Sequence, residues 1–247
     1  MIIVKTEQEI DAMREPCAIV RDTLTYIGSL VRPGVSTQEL DERAEAYIRS
    51  RGAVPSCLGY CGYPASICAS VNEEVVHGIP GPRTLREGDI VSIDLCAYKN
   101  GFHGDGARTF AVGQVDEEKS KLIRVTEECF WKAVENLRAG TPLYDIGAAV
   151  QKHAEENGFS VVREYVGHGI GREMHEDPSV PNYGKRGTGV RLRAGTVLCI
   201  EPMILAGDRR VRVLADGWTA VTQDKRPAAH YENTLVVRED GVEILTL

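Results

Sequence analysis

Polar and apolar residues alternate along residues 91 to 97. The apolar positions are Val91, Ile93, Leu95 and Ala97, and the positions between them are Ser92, Asp94 and Cys96. A period of two residues is typical of a β-strand with one buried face, because successive side chains of a strand point to opposite sides. The pattern therefore predicts a strand here, with Asp94 on the face opposite the apolar residues.

A tight turn is predicted directly after this strand, at Asn100 and Gly101. Asn-Gly between two strand-like runs is a strong signal for a two-residue hairpin. In such a hairpin, positions whose numbers sum to 201 face each other, so Asp94 lies opposite Ala107 and Asp105 lies diagonal to Asp94. Diagonal neighbours have Cβ atoms about 7 Å apart, so the two carboxylates could share a metal ion or a pair of ions. The hairpin alone is equally compatible with an exposed polar face that carries two unrelated acids.

Cap and turn signals divide the rest of the chain into helices, strands and loops. The predicted helices run from Thr6 towards Val31, from Ser36 to near Gly52, from Glu117 to Leu137 and from Leu143 to Asn157. The first two begin with capping boxes, and Gly158 ends the fourth. The predicted strands are Asp89 to Tyr98, Phe102 to Val112, Phe159 to Val166, Thr196 to Leu205 and Tyr231 to Val237. The Pro- and Gly-rich piece from residue 178 to 189 predicts a surface loop.

Two stretches of the chain recur at nearly equal offsets. Residues 32–52 align with 138–158, and "LREGDIVSID" at 85–94 aligns with "LRAGTVLCIE" at 192–201, which places Asp94 opposite Glu201. Two matches in the same order indicate an ancient duplication. We therefore expect one catalytic domain, residues 1–247, made of two related halves at about 1–112 and 113–247.

Composition and charge narrow the class of protein. The chain has 247 residues, 43% of them hydrophobic, and a net charge of -7, which favours a globular protein and argues against nucleic-acid binding. No targeting segment and no apolar run of membrane-spanning length is present, so we expect a soluble, cytoplasmic protein. Seven cysteines without an export signal fit reduced thiols, and the spacings of Cys57, Cys61 and Cys68 are not those of a zinc ribbon.

The second half of the chain adds two acids and a histidine to the candidate ligands. Glu201 ends the apolar run Val197 to Ile200, Glu232 begins another, and His168 lies between two glycines. A carboxylate at the end of a buried strand needs a partner. With Asp94 and Asp105, this makes four carboxylates and one imidazole, a set that suits manganese, ferrous iron or cobalt at least as well as zinc. More ligands than one ion needs suggests two ions with bridging carboxylates.

The stretch "YVGHGIGREMHEDP", residues 165 to 178, contains two histidines seven residues apart, His168 and His175. On a helix that spacing would separate them by about 10.5 Å along the axis, too far to hold one ion. Three glycines within five residues also disfavour a helix. The stretch therefore predicts a strand end that runs into a loop, and the two histidines need not share a task.

Several motifs together resemble type I methionine aminopeptidases. They are "HGIP" (77–80), "DIVSIDLCAYKNGFHGDGARTF" (89–110), "EYVGHGIGREMHEDP" (164–178), "IEPM" (200–203) and "DGWTAVTQD" through "YENTLVV" (216–237). The resemblance covers nearly the whole chain and keeps five ligand positions in order. It implies the α+β pita-bread fold of creatinase-like metallopeptidases, which is internally duplicated and has a curved antiparallel central sheet, outer helices and a dinuclear metal site.

The resemblance also implies a role for each ligand. Asp94 would chelate one ion, His168 and Glu201 would bind the other, and Asp105 and Glu232 would bridge them. The cofactors implied are two divalent ions, Co, Mn, Fe(II) or Zn. A bridging water would attack the first peptide bond, with Glu201 as proton acceptor.

The other implied site residues face the substrate. His175 would stabilise the oxyanion, and His77 would contact the scissile amide or help to protonate the departing amine. The implied methionine pocket consists of Cys57, Tyr60, Tyr63, Cys68, Met174 and Trp218. Three positions depart from the family pattern: Met174 replaces an aromatic residue, His230 a neutral one and Ala107 a small polar one. Like His103 and His153, His230 matches no family role and is expected to be an ordinary surface or packed histidine.

The function expected from the resemblance is removal of the initiator methionine from nascent chains whose second residue is small. The implied partners are the N-terminal segments of nascent polypeptides, with no membrane or nucleic acid; transient ribosome association is left open, and a monomer is expected. One rival is an X-Pro-cleaving peptidase of the same fold, which normally carries an additional N-terminal domain; we expect this chain to begin directly in the catalytic domain. Another is an inactive peptide-binding relative, which would typically have lost ligands.

Overall fold

The chain folds into four α-helices and fifteen strands, and the computed structural model describes all 247 residues. The helices are α1 (Glu7–Leu30), α2 (Thr37–Ser50), α3 (Glu117–Val134) and α4 (Tyr144–Glu156). The first seven strands are β1 (Val54–Pro55), β2 (Cys68–Val71), β3 (Glu74–Val76), β4 (Ile90–Lys99), β5 (Phe102–Ala111), β6 (Ser160–Val161) and β7 (Gly167–Gly169). The others are β8 (Glu176–Val180), β9 (Val197–Ile200), β10 (Met203–Leu205), β11 (Val211–Val213), β12 (Ala220–Thr222), β13 (Ala228–His230), β14 (Glu232–Val237) and β15 (Val242–Ile244).

A nine-stranded antiparallel sheet forms the centre of the molecule. Its order is β1-β4-β5-β14-β9-β7-β8, with β2 added beside β4 and β15 beside β14. Two three-stranded sheets, β13-β10-β6 and β11-β12-β3, lie next to it. Strands from the first and second parts of the chain meet where β5 pairs with β14.

The hairpin of β4 and β5 has the predicted register. Asp94 pairs with Ala107 and Tyr98 pairs with His103. Asn100 and Gly101 have φ angles of 56° and 82°, the left-handed conformation that a two-residue turn of this type requires. The prediction from the Asn-Gly turn is therefore confirmed.

The helices pack on the outside of the central sheet. The alternating apolar residues of β4, among them Ile93 and Leu95, join α1 and α2 in one hydrophobic cluster. A second cluster joins α3 and α4 to β9 and β14, with Phe130 and Leu198 fully buried. The predicted apolar face of β4 is thus its helix-covered face.

The predicted helix starts are confirmed, with small differences at the ends. Thr6 and Glu9 form both bonds of a capping box. Ser36 caps α2 by accepting a bond from the Glu39 amide, without the return bond of a full box. The third helix ends at Val134 rather than Leu137, because the chain closes into a turn there.

Three predictions of strands and loops were wrong. The predicted strand from Thr196 to Leu205 is interrupted at Glu201 and Pro202, and its two parts lie in different sheets. Proline lacks the N–H that a continuous ladder needs. The predicted strand from residue 159 to 166 is extended only over β6, and the predicted loop from 178 instead begins as β8, an edge strand where proline is tolerated. No helix of the molecule has the combined length and apolar character that crossing a bilayer requires.

Candidate metal centre and active site

Three acids converge on one small residue of the central sheet. Ala107 of β5 faces Asp94 of β4 on one side and Glu232 of β14 on the other. Asp105 lies two residues from Ala107, so its side chain points to the same face. The strand pairing alone therefore gathers three carboxylates around Ala107, which is itself fully buried.

The other two candidate ligands approach from the neighbouring strands. His168 of β7 pairs with Cys199 of β9, and Glu201 follows Cys199 by two residues. The Nε2 atom of His168 lies 3.6 Å from Oε1 of Glu201 and 4.0 Å from Oδ2 of Asp105. The ligand atoms of Asp105, His168, Cys199 and Glu232 all lie within 4.8 Å of one another. These distances would allow one ion to contact ligands from four strands, β5, β7, β9 and β14.

Cys199 is a member of this group that the sequence reasoning missed. Its thiol is buried among the acids and lies 3.6 Å from the Thr234 hydroxyl. Burial, together with the charges of Glu232 and Asp105, raises the pKa of the Cys199 thiol. The available signal was its position two residues before Glu201, which puts both side chains on the same face of the strand.

The buried carboxylates need a cationic partner. Burial raises the pKa of Asp94 to about 6 and raises the pKa of Asp105 and Glu232 well above their usual range, with further contributions from mutual repulsion. Oε1 of Glu232 has no hydrogen-bond partner. Unpaired buried acids of this kind are expensive unless a metal or another cation neutralises them. The residues present therefore fit divalent metal ions, and the alternative of an exposed polar face is wrong.

His168 is held in the form that binds metals. Burial lowers the pKa of its imidazole to about 3, so the ring is neutral. Its Nδ1 atom lies 2.9 Å from the Gly169 carbonyl oxygen, to which it can donate. A donated bond at Nδ1 leaves the lone pair of Nε2 directed at the carboxylates, the usual arrangement of a histidine ligand.

A cavity of about 320 Å³ opens above the acids. All thirteen candidate site residues from the sequence lie in its wall: Cys57, Tyr60, Tyr63, Cys68, His77, Asp94, Asp105, His168, Met174, His175, Glu201, Trp218 and Glu232. Five further residues complete it: Val76, Glu164, Tyr165, Val166 and Met203. Each of the five lies close in sequence to a predicted site residue, which was the only signal for them.

His175 lies on the rim of this cavity, beside His168. The two rings have centroids 4.3 Å apart, and Nδ1 of His175 lies 2.8 Å from the Tyr60 hydroxyl. The Tyr60 hydroxyl can donate to Nδ1, which leaves the proton of the neutral ring on Nε2. His175 thereby becomes a hydrogen-bond donor, because its Nδ1 atom is engaged by Tyr60.

Hydrogen bonds and an ion pair at Glu176 hold the loop that carries His175. The Glu176 carboxylate accepts bonds from the amides of Arg172 and Glu173 and from the Lys5 ammonium group. The side chains of Lys5 and Glu176 are only 2% and 6% exposed. The N-terminal segment therefore holds the loop in place through a buried ion pair.

His77 lies on the opposite wall in a strained conformation. Its φ angle is 60°, which costs a non-glycine residue roughly 1 kcal/mol. The ring packs edge-on against Tyr165 and Trp218, with centroids 5.4 and 6.4 Å away. Burial lowers the pKa of His77 to about 4, so the ring is neutral near pH 7.

Soft and apolar side chains make up the remaining wall. Tyr63, Ala65 and Cys68 form a small buried cluster against which Cys57 and Trp218 pack. The Tyr63 hydroxyl is anchored to the carbonyl oxygens of residues 67 and 78 at 3.1 and 3.0 Å. Met174, which was the least typical residue of the expected pocket, is 6% exposed and lies in the same wall. The wall suits an unbranched apolar side chain.

The three histidines without an expected role differ in their surroundings. His153 lies 2.9 Å from Glu128, and His103 lies 2.9 Å from the Ser56 hydroxyl, as ordinary packed residues do. His230 is also packed, at 1% exposed, but its Nε2 atom lies 3.6 Å from Oε2 of Glu201. It is therefore next to the acids, which its position before Tyr231 did not reveal.

Known proteins resemble the chain over its whole length. The family model described as metallopeptidase family M24 matches residues 11–239. A methionine aminopeptidase from Clostridium perfringens is 54% identical over all of this chain and 99% of its own, and methionine aminopeptidase 1 of Bacillus subtilis is 50% identical over 100% and 99%. The crystal structure of methionine aminopeptidase from Rickettsia prowazekii superimposes with a TM-score of 0.98 at 43% identity, covering 100% of both chains.

A more distant structure shows how far the fold extends. Prolidase from Pyrococcus furiosus superimposes with a TM-score of 0.81 at 23% identity, over 99% of this chain and 65% of its own. At that identity the likeness concerns the fold alone. It confirms the expected α+β pita-bread architecture.

Proposed function

Because the chain belongs to metallopeptidase family M24 and, within it, to the methionine aminopeptidases, we propose that it hydrolyses the first peptide bond of polypeptides that begin with methionine and a small second residue. One observation carries this proposal. Five potential metal ligands form the floor of a 320 Å³ cavity whose wall also includes two thiols, two thioethers and several aromatic rings. The candidate metal ligands and the pocket for the methionine side chain are thus adjacent.

The order of the strands in the central sheet supports the ligand roles that the resemblance implies. Asp94 on β4 would chelate one ion, and His168 and Glu201 on the opposite side would bind the other. Asp105 and Glu232 lie between these groups and would bridge the two ions. The distances from His168 to Glu201 and Asp105, 3.6 and 4.0 Å, support this division.

Bound divalent ions would lower the pKa of a water molecule and polarise the scissile carbonyl. Glu201 lies closer to His168 than Asp105 does and would accept the proton of that water. Burial raises the pKa of Glu201 well above its ordinary range in the metal-free protein.

His175 and His77, which both line the cavity, would act on the substrate. His175, with its Nδ1 atom occupied by the Tyr60 hydroxyl, would donate from Nε2 to the oxygen of the tetrahedral intermediate. His77 would contact the scissile amide or help to protonate the departing amine. Its ring is held between Tyr165 and Trp218, so it would remain oriented through the reaction.

The methionine side chain would enter the wall formed by the cavity residues Cys57, Tyr60, Tyr63, Cys68, Met174 and Trp218. Polarisable sulfur atoms and aromatic rings make favourable contacts with a thioether. Met174, in place of the aromatic residue of the family pattern, would alter the shape of this pocket.

The wider setting is also part of the proposal. The substrates would be nascent polypeptides in the cytoplasm, with transient ribosome association left open, and the enzyme would act as a monomer. Residues 1–247 would form one catalytic domain of two related halves, about 1–112 and 113–247. Support for the halves comes from the sheet, in which β4 and β5 supply two acids and β9 and β14 bring in the other two.

A three-substrate assay tests the function. The protein is loaded with manganese or cobalt and incubated with Met-Ala-Ser, Met-Lys-Ser and Ala-Pro-Ser, with a chelator control. We expect release of methionine from Met-Ala-Ser, far slower cleavage of Met-Lys-Ser, no cleavage of Ala-Pro-Ser, and no activity with the chelator. Cleavage of Ala-Pro-Ser in preference to Met-Ala-Ser would identify an X-Pro peptidase instead. No cleavage with metals demonstrably bound would indicate a peptide-binding protein.

A further inference from the structure

His230 is the only histidine buried beside the acids that the proposed function leaves without a task. Its backbone is held by the β10 strand on one side and by the Thr109 hydroxyl on the other. In the register of β13 and β10 it faces Met203. Its amide donates to the Thr109 hydroxyl, which in turn donates to its carbonyl oxygen, at 2.9 and 2.8 Å. The imidazole therefore has little freedom to move away from the site.

The Nε2 atom of His230 has no hydrogen-bond partner, although the residue is only 1% exposed. An unsatisfied buried polar group of this kind is unfavourable by about 1–3 kcal/mol, and native proteins rarely retain one without a reason. The polar atom facing it is Oε2 of Glu201, 3.6 Å away. A movement of about half an ångström would form a normal hydrogen bond.

The two oxygens of Glu201 face two different imidazoles. Oε1 lies 3.6 Å from Nε2 of His168, whereas Oε2 lies 3.6 Å from Nε2 of His230. His168 has its Nδ1 bound to the Gly169 carbonyl and presents a lone pair. A metal ion between His168 and Oε1 would therefore leave Oε2 free to accept a bond from the other side.

We propose that His230 is a positioning residue for Glu201: its Nε2–H group donates to Oε2 and thereby turns Oε1 towards the metal ion held with His168. The inference rests on the proposed function. It also assigns a task to a residue that sequence reasoning regarded as ordinary packing. Hydrogen bonds from such partners orient metal ligands, and removing them typically lowers metal affinity or activity by about 10–100-fold.

The test compares replacements that differ in their ability to donate to Glu201. His230→Leu fills the space without a donor, His230→Asn keeps a donor that is too short to reach, and His230→Gln keeps a donor of similar reach. The Mn²⁺ dissociation constant is measured by calorimetry on the metal-free protein, and kcat and KM are measured with Met-Ala-Ser at saturating Mn²⁺. His153→Leu, which removes a histidine remote from the site, is the matched control.

We expect His230→Leu and His230→Asn to raise the Mn²⁺ dissociation constant by roughly 10–100-fold and to lower kcat, with KM changed by less than about threefold. His230→Gln should restore both values to within a few-fold of wild type. If His230→Leu fails to fold, the contrast between Asn and Gln still decides the matter. Equal metal affinity and kcat in Asn, Gln and wild-type proteins would overturn the proposal.

A double-mutant experiment shows whether His230 acts through Glu201. In a Glu201→Ala protein, adding His230→Leu should change the Mn²⁺ dissociation constant by less than about twofold, because the acceptor has already been removed. A further tenfold loss in that background would mean that His230 affects the metal by another route and would overturn the proposal. Failure of the wild-type enzyme to release methionine would instead contradict the proposed function, since metal affinity is measured separately.

Discussion

The floor of the cavity and its rim are built from different parts of the structure. The floor comprises the five candidate ligands on or directly beside strands of the central sheet: Asp94, Asp105, His168, Glu201 and Glu232. The rim comprises residues of loops and short elements: Tyr60, His77, Met174, His175 and Trp218. Floor carboxylates are buried without enough protein partners, whereas the rim residue His175 has its partner in Tyr60.

This difference separates two kinds of dependence. The floor is electrostatically incomplete without cations, because its carboxylates repel one another in a buried environment. The rim is completed by contacts within the protein and so should keep its geometry whether or not metal is bound. Substitutions in the floor should therefore change metal content, and substitutions in the rim should change turnover at constant metal content.

The largest expected effect on activity comes from replacing Asp105, the carboxylate proposed to bridge the two ions. Asp105→Asn removes a negative charge from the proposed bridge while keeping the shape of the side chain. Losing several kcal/mol of electrostatic stabilisation should lower kcat/KM for Met-Ala-Ser by at least about 10³-fold. Metal content, measured by elemental analysis after dialysis, should fall as well. Full metal content with full activity would show that Asp105 does not bridge.

The next largest effect is expected from the ion pair of Lys5 and Glu176, which holds the loop of His175. Lys5→Met leaves the buried Glu176 carboxylate without its cation, and removing one partner of a buried pair typically destabilises a protein by about 3 kcal/mol or more. We expect a lower melting temperature and reduced turnover at unchanged metal content, since the loop carrying His175 loses its anchor. Lys152→Met is the matched control, because Lys152 and Glu156 form an exposed pair 3.8 Å apart. An unchanged melting temperature for Lys5→Met would contradict the anchoring role.

Removing a hydrogen-bond donor from the rim should lower kcat without loss of bound metal. His175→Ala deletes the proposed oxyanion donor, and the loss of one such donor lowers kcat by roughly 10²-fold or more. Metal content should stay close to wild type, because His175 is proposed to act on the substrate rather than to bind the ions. If this variant lost its metal, the division between floor and rim would be wrong. His153→Ala should leave both quantities unchanged.

The smallest expected effect is a change in the stability of the metal-free protein with pH, caused by the unpaired carboxylates of the floor. In the metal-free protein the pKa values of Asp94, Asp105 and Glu232 are raised, so the folded state binds more protons than the unfolded state above about pH 4. Stability then falls as pH rises. The histidines with lowered pKa values oppose this trend only below about pH 6.5, where the unfolded chain takes up protons.

We therefore expect the metal-free protein in a chelator to lose stability between pH 6.5 and 8, as buried carboxyl groups with raised pKa values ionise. Thermal melts at the two pH values measure this. Excess Mn²⁺ should abolish or reverse the trend, since ions bind the deprotonated carboxylates. A metal-free protein that is more stable at pH 8 would show that the buried acids are already neutralised within the protein.

Much of the first half of the site could be predicted from local rules. The alternation of β4 and the Asn-Gly turn gave the pairing of Asp94 with Ala107, and the structure has that register. These signals work because they depend on neighbours in sequence, namely the two-residue period of a strand and the φ angles of a turn. The resemblance to a family then supplied the ligand set, whose roles remain proposals.

The second half of the site was less predictable. The apolar run before Glu201 indicated one long strand, but the chain leaves the central sheet at Pro202 and continues in another sheet. Alternation along one strand could have placed Cys199 beside Glu201. The approach of Cys199 to Asp105 and Glu232, and of His230 to Glu201, depends instead on how β9, β13 and β14 pack together.

The sequence by itself determined which residue types are available and how the hairpin of Asp94 and Asp105 is registered. Only the tertiary structure decided which further side chains share their space, among them His230 at 3.6 Å from Glu201. The physical reason is distance along the chain. Pairing within a hairpin is set by adjacent backbone geometry, whereas contacts between remote strands depend on how the whole sheet and its covering helices pack.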